Sequence, residues 1–168
     1  PGPDRILEGI HRADSGKGVL LVVKNYSGDI MNFQMAAELA EMEGIQTRTV
    51  VVKDDVAVED SLFSAGRRGI AGTVFVHKVA GAAAAAGKSL DEVADVAQKA
   101  IDRIRSMGMA SEPCTLPGAL QPNFQLADDE IEIGMGIHGE PGISKETMMP
   151  AQALAKRLLD CIFADKDY

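Results

Sequence analysis

The chain has 168 residues, which is enough for one α/β domain with a buried core and hardly enough for two. Its formal net charge of −8 argues against a nucleic-acid partner, because binding to phosphates needs clustered Lys and Arg side chains. No apolar run approaches the roughly 20 residues that span a bilayer. Cys114 and Cys161 lack the spacing of a zinc site or a disulfide framework, so we expect reduced thiols in a cytoplasmic protein.

The first part of the chain predicts a helix followed by a buried strand. Asp4 is expected to cap a helix whose apolar residues recur at helical spacing. Residues 19–23 form a continuous apolar run, which is typical of a parallel strand covered on both faces. A polar turn at residues 24–29 then leads into a second helix that ends near Gly44.

Residues 48–52 predict a second strand, which would complete a right-handed β-α-β unit with the first. Asp54 and Asp55 follow this strand in a polar loop. Two adjacent carboxylates can bind a divalent cation, but on a loop they are more often solvated, and we expect solvated side chains here.

The middle of the chain predicts two further helices. Residues 73–76 have strand propensity, but they lead without a turn into an alanine-rich run at 81–86, which we interpret as a closely packed helix. Ser89 is expected to cap the next helix, which runs to about Met107.

The last third of the chain predicts short strands between Pro and Gly turns, followed by a closing helix. The strands are expected at residues 114–116 and 123–126, and along the alternating pattern of residues 130–138. The closing helix is expected from Met148 onward. The predicted fold is therefore α/β, a mostly parallel sheet flanked by helices, with shorter strands in the C-terminal third.

His138 lies at the end of the alternating pattern, on the same predicted face as Gly134 and Gly136. Glycine weakens a strand, so two glycines beside a histidine suggest that another group approaches the backbone closely there. A rigid turn at residues 139–142 follows. The alternative is a histidine that is merely exposed at a turn, and the residues alone leave these two possibilities evenly balanced.

Lys24 and Asp29 lie at the two ends of the polar turn between the first strand and the next helix. Ligands of open α/β sheets bind beyond the carboxyl ends of the strands, where a carboxylate can act as a base. The simpler alternative, which the sequence favours, is that Asp29 caps its helix and Lys24 is a solvated strand end. We expect His11 and His77 to be structural.

Three longer motifs stand in order along the chain. They are KNYSGDIMNF at residues 24–33, DDVAV at 54–58 with SAGRRG at 64–69, and GIHGEPG at 136–142. Through these motifs the chain closely resembles, over essentially its whole length, the substrate-binding K-subunit (DhaK) family of dihydroxyacetone kinases. The resemblance identifies it as a piece of that subunit, a single dihydroxyacetone-binding domain of residues 1–168. It lacks the family's earlier Gly-His-Glu-Pro segment and its C-terminal part.

The resemblance implies specific roles for three residues. A ring nitrogen of His138 would attack the ketone carbon of dihydroxyacetone and form a hemiaminal. Lys24 and Asp29 would contact the substrate hydroxyls, and Asp29 would assist in activating the attacking hydroxyl. His138 and Asp29 are thus the candidate catalytic residues, and all three are candidate substrate-binding residues.

The resemblance also implies the partners. The chain itself is expected to hold no cofactor and no metal. The phosphoryl donor, ATP or partner-bound ADP/ATP with Mg, is expected on a nucleotide-binding L subunit or a fused domain. By family analogy we expect a cytoplasmic homodimer and favour the separate-subunit type linked to the phosphotransferase system.

Two alternatives to the kinase remain open at this point. Relatives of the family bind the same ketone without phosphorylating it and act as coactivators of a transcription regulator, and such a sensor would keep His138. The other alternative is an α/β interaction domain that binds no ligand.

Overall fold

The computed structural model describes residues 1–59, 66–115 and 117–165. Helix α1 (Pro3–Ala13) precedes a pair of parallel strands, β1 (Val19–Lys24) and β2 (Thr47–Val52), which α2 (Ser27–Met42) connects. The predicted β-α-β unit and its parallel pairing are confirmed. Asp4 lies in the first turn of α1 and Gly2 takes the cap position, so the prediction that Asp4 caps this helix is wrong.

Helices α3 (Thr73–Ala85) and α4 (Leu90–Arg103) follow β2. Residues 73–76 are helical despite their strand propensity, because Val76 packs with small alanine side chains in the core that α3, α4 and β2 share. Ser89 caps α4, as predicted, and it also forms a capping box with Glu92. The helix ends at Arg103, earlier than expected.

Helices cover both faces of the two-stranded sheet. One core cluster packs α1 and α2 against β1 and includes Ile10 and Val23. The other packs α3 and α4 against β2 and includes Val52 and Ile101. Burial from two sides explains why β1 is apolar at successive positions, whereas a strand with one solvated face would alternate.

The C-terminal third forms a separate antiparallel sheet with the order β3-β4-β5. Its strands are β3 (Met109–Ala110), β4 (Glu130–Ile133) and β5 (Ser144–Thr147), and helix α5 (Ala151–Asp165) closes the described chain. The predicted fold class, parallel strands with flanking helices and shorter strands later, is confirmed. None of the helices in the described ranges combines the length and apolar character needed to cross a membrane.

Three details of the predicted C-terminal strands are wrong. The described residues at 114–115 and 123–126 form no strand and are mostly exposed, and Leu116 lies outside the described residues. The partners of β4 are instead β3 and β5, which the sequence pattern did not single out. The strand predicted for residues 130–138 ends at Ile133, because Gly134 adopts a left-handed backbone with φ +78°.

Gly69 offers a test of how closely the chain packs over the ends of β1 and β2. A Cβ atom on this glycine would lie 2.9 Å from Lys24 Cα and 3.0 Å from Asn25 N. We expect Gly69→Ala to lower the free energy of unfolding of the full-length protein by about 1–3 kcal/mol, as overpacking does. Urea unfolding measures the change.

Gly81→Ala is the matched control, because Gly81 lies in α3 with nothing within 4 Å of an added Cβ. There the same substitution should stabilise the protein by roughly 0.5–1 kcal/mol, since glycine weakens a helix interior. Equal effects of the two substitutions would contradict the close packing around Gly69.

Candidate active site

A short segment, residues 66–72, lies across the carboxyl ends of β1 and β2, and we call it the crossing segment. Its Gly69 packs against the backbone at the ends of both strands. The side-chain amide of Asn25 donates a 2.8 Å hydrogen bond to the carbonyl of Arg67. The crossing segment therefore contacts the polar turn that follows β1. Ser64 and Ala65, which belong to the SAGRRG motif, lie outside the described residues.

Asp54, directly after β2, fixes the position of the crossing segment. Its carboxylate accepts hydrogen bonds from the backbone N–H groups of Ile70 at 2.9 Å and Gly72 at 2.7 Å, and from the hydroxyl of Ser106. Asp54 is 1% exposed and Asp55 is fully buried, so the prediction that these aspartates are solvated is wrong. Burial is tolerated because donors match each carboxylate.

Asp55 pairs with Arg68, whose guanidinium is also fully buried. Arg68 Nε donates to Asp55 Oδ2 at 2.8 Å, and Arg68 Nη2 donates to the carbonyl of Gly134 at 2.7 Å. Burial raises the pKa of Asp55, and the Ala57 amide and the guanidinium offset part of that rise. Through Arg68, the end of the parallel sheet is joined to the residue that follows β4.

Residues 134–140, the histidine loop, carry His138. The loop is closed by backbone hydrogen bonds of 3.0 Å from Gly136 N to the Glu140 carbonyl and from Gly139 N to the Gly136 carbonyl. The Glu140 carboxylate accepts the backbone N–H of His138 at 2.9 Å and lies 3.3 Å from its Nδ1. The imidazole is 56% exposed, whereas the Glu140 side chain is 3% exposed. The ring is thus held from the protein side and open on the other.

Glu140 is an anionic partner for the imidazole. Burial raises the pKa of Glu140, but hydrogen bonds from the backbone N–H groups of Glu140 and His138 and from the ring outweigh it, so the pKa lies below its ordinary value. An anionic acceptor at Nδ1 favours the tautomer with its proton on Nδ1. That tautomer leaves the lone pair of Nε2 available as a nucleophile.

Tyr26 brings the imidazole to the turn after β1. The Tyr26 and His138 rings meet edge to face, with centroids 4.6 Å apart and an interplanar angle of 84°. Tyr26 is buried in the middle of the turn that carries Lys24 and Asp29. The structure therefore places His138 beside the turn that bears the other two predicted site residues.

Lys24 is the last residue of β1, and Asp29 lies half-buried in the first turn of α2. Tyr26 is the N-cap of α2, with no side-chain cap, so the interpretation of Asp29 as the helix cap is wrong. His11 pairs with Glu43, and His77 is exposed. In the described part of the chain, no three His, Cys, Asp or Glu side chains form a group that could hold a metal ion.

The glycines of the histidine loop let other side chains approach the loop backbone closely. A Cβ on Gly136 would overlap the Glu140 carboxylate and the Arg68 guanidinium, and one on Gly134 would overlap the Ala57 methyl group. Other groups therefore approach the backbone closely at both glycines, as predicted, and these groups belong to the protein.

Sequence reasoning missed Tyr26, Glu140 and Arg68. Each stands inside one of the three motifs, and that was the available signal. Tyr26 carries a second signal, because it stands in a polar turn and is one of only two tyrosines in the chain.

The pH dependence of folding tests the ionised Glu140. Because its folded-state pKa lies below the unfolded value of 4.5, the carboxylate stabilises the fold above pH 4.5, and this contribution is lost as the pH falls through the folded-state pKa. We expect Glu140→Gln to destabilise the full-length protein at neutral pH and the difference from wild type to shrink below pH 4.5. Urea unfolding at several pH values measures it, with the exposed Glu41→Gln as the control for charge removal. A difference that is constant across this range would contradict the assignment.

Comparison with known proteins agrees with this architecture. The family model of the Dak1 domain matches residues 1–168. The dihydroxyacetone-binding subunit DhaK of the PTS-dependent dihydroxyacetone kinase 1 of Listeria innocua is 55% identical over 165 residues, which cover 98% of this chain and 50% of that protein. The chain spans between 47% and 50% of the length of the DhaK subunits of Listeria innocua, Lactococcus lactis and Escherichia coli, and between 24% and 29% of the length of longer relatives.

Two solved structures share the fold over nearly the whole chain. The dihydroxyacetone kinase of C. freundii in complex with AMP-PNP and Mg²⁺ superposes with a TM-score of 0.89 at 36% identity, over 99% of this chain and 30% of the kinase. The dihydroxyacetone kinase operon co-activator DhaQ superposes with a TM-score of 0.87 at 36% identity, over 98% of this chain and 50% of DhaQ. From the family match over its full length, the chain belongs to the Dak1 domain family.

Proposed function

We propose that this chain is the dihydroxyacetone-binding part of a dihydroxyacetone kinase, and that Nε2 of His138 holds the substrate as a covalent hemiaminal. The observation that carries the proposal is the position of the imidazole. It packs against Tyr26 in the turn of Lys24 and Asp29, with the buried Glu140 carboxylate at Nδ1. A neutral imidazole in this tautomer is a competent nucleophile for a ketone.

The chemistry of the addition balances with the groups at hand. The Nε2 lone pair forms a bond to the carbonyl carbon, and the π electrons of the C=O bond move to its oxygen. That oxygen takes up a proton from solvent to become a hydroxyl, and the ring gives up the proton on Nδ1. Glu140, at hydrogen-bond distance from Nδ1, is the acceptor that favours this loss.

Lys24 and Asp29 complete the proposed site around the substrate hydroxyls. They flank the turn beyond the carboxyl end of β1, where open α/β sheets bind ligands. In the proposal Lys24 positions a hydroxyl, and Asp29 accepts the proton of the hydroxyl that attacks the phosphoryl group. Covalent attachment fixes a very small substrate in one orientation, which is what phosphoryl transfer chiefly requires. It also selects ketones over alcohols such as glycerol.

The phosphoryl donor belongs in this proposal to another subunit or domain. The C. freundii kinase structure contains AMP-PNP and Mg²⁺, and this chain aligns with only 30% of that protein. We therefore propose that an L subunit or fused domain binds the nucleotide with Mg. The name of the Listeria relative supports the phosphotransferase-linked type. The homodimer, the cytoplasmic location and the single-domain organisation of residues 1–168 stay predictions.

The second candidate function is a ketone sensor. The DhaQ co-activator and the C. freundii kinase are both 36% identical to this chain, which favours keeping this alternative, although the Listeria kinase subunit is more similar, at 55% identity. The two functions share the adduct and differ in turnover.

Carbon-13 NMR of the full-length protein with dihydroxyacetone labelled at its carbonyl carbon tests the proposal. We expect the ketone signal to give way to that of a tetrahedral carbon in wild type and in His77→Ala, whose exposed histidine lies on α3. His138→Ala should form no adduct. An adduct in His138→Ala as abundant as in wild type would remove the assignment.

Addition of Mg-nucleotide and the partner subunit separates the kinase from the sensor. We expect dihydroxyacetone phosphate from the wild-type complex, and a rate lower by roughly 100-fold or more for Asp29→Asn, because a positioned base contributes that much. The Asp29→Asn protein should still form the adduct. An adduct without any product from wild type would support the sensor and contradict the kinase.

A further inference from the structure

We propose that Arg68 is a positioning residue for His138, acting through the histidine loop and the Glu140 carboxylate. The inference rests on the proposed function of His138 and adds to it a fully buried side chain that is not among the proposed substrate-binding residues. Three features of the described residues carry it.

The first feature is the set of hydrogen bonds that Arg68 makes. Its guanidinium donates to Asp55, which follows β2, and to the carbonyl of Gly134, where β4 has just ended. Asp55 is itself held, because it accepts the Ala57 N–H at 2.9 Å and its own N–H donates to the Arg68 carbonyl at 3.1 Å. Because the guanidinium is rigid and planar and both of its acceptors are fixed, it sets the position of the histidine loop relative to the parallel sheet.

The second feature is the packing at Gly136. A Cβ on this residue would overlap both Arg68 Nη1 and the Glu140 carboxylate, so these two groups lie on the same side of the loop backbone. His138 follows two residues later, and its backbone N–H and Nδ1 both contact that carboxylate. The guanidinium thus lies, inside the protein, beside the carboxylate that orients the imidazole, although Nη1 donates no hydrogen bond to it.

The third feature is an unused donor. In the ranges that the structure describes, Arg68 Nη1 and the Tyr26 hydroxyl are buried without a hydrogen-bond partner. A buried cation with an unpaired hydrogen-bond donor lowers the stability of the fold. A buried ion pair can often be replaced by apolar side chains without loss of stability, so stability alone does not explain why this pair is present. A role for Arg68 in positioning the histidine loop, which carries Glu140 and the imidazole, accounts for the charge at this place.

The test compares variants of the full-length protein in which the fold is protected. Arg68→Met alone leaves Asp55 as an unpaired buried charge, so Arg68→Met with Asp55→Asn removes both charges together. Arg68→Lys keeps the charge but lacks the planar guanidinium that donates to both Asp55 and the Gly134 carbonyl. Arg67→Met is the matched control, because the neighbouring Arg67 side chain pairs with Asp165 of α5.

Two readouts distinguish positioning from a merely structural role. Long-range proton–nitrogen NMR correlations report which ring nitrogen of His138 carries the proton, without any substrate. Carbon-13 NMR with the labelled ketone reports the adduct equilibrium. Urea unfolding confirms that each variant is folded under these conditions.

We expect the neutral double variant to lose the preference for the Nδ1-protonated tautomer and to form the adduct more weakly, by up to about 100-fold, because small misplacements of a reacting group have effects of that size. Arg68→Lys should lie between it and wild type, and Arg67→Met should match wild type. A folded double variant with the wild-type tautomer and adduct would overturn the proposal, as would an equal effect in Arg67→Met. If wild type itself forms no adduct, the proposed function fails, and the tautomer measurement still decides the role of Arg68.

Discussion

The buried ion pair between Arg68 and Asp55 joins the two sheets of this protein at the point where the candidate site is built. Asp55 belongs to the end of the parallel sheet, and the guanidinium extends from it to the carbonyl after β4. Removing one partner of such a pair typically costs about 3–5 kcal/mol, because the remaining charge stays in the interior. The crossing segment, the turn after β1 and the histidine loop all take their relative positions from this contact and from Asp54 beside it.

The candidate site combines a solvent-accessible imidazole with buried side chains that hold it in place. The imidazole is half exposed, so a small ketone can reach it, while Glu140, Tyr26 and Arg68 beneath it are almost inaccessible to water. In a low-dielectric environment their charges and dipoles act on the ring more strongly than solvent-exposed groups would. Access for the substrate and a fixed ring orientation are therefore supplied by different side chains, and both are needed if His138 is to add to a carbonyl.

The parts of the fold that depend on local sequence were predictable. The apolar run of β1, the helix that follows its turn and the capping box at Ser89 each carry their signal within a few residues. The burial of Asp54 and Asp55 was not predictable in this way, because, apart from the Ala57 N–H, their partners lie 13 or more residues away, in the crossing segment and beyond. The residues next to a carboxylate do not tell whether it is buried with hydrogen-bond donors from distant parts of the chain or exposed to solvent.

The residues proposed for the candidate site came from motifs, but the way the structure supports them could not be predicted from sequence. His138, Lys24 and Asp29 followed from motifs, and the structure brings the histidine to the turn that carries the other two. The predicted strand up to His138 was wrong because Gly134 turns the backbone, and the alternation beyond it reflects a loop packed on Arg68 and Glu140. The alternating pattern of residues does not reveal these contacts, because they depend on which distant side chain fills the space beside each glycine.

A crystal structure of the full-length protein soaked with dihydroxyacetone tests the central claim most directly. We expect continuous density from Nε2 of His138 to the central carbon of the triose, with the imidazole against Tyr26 and with Arg68 between Asp55 and the Gly134 carbonyl. A ketone bound elsewhere, or an imidazole turned away from the Tyr26 ring with Glu140 released from it, would contradict the account.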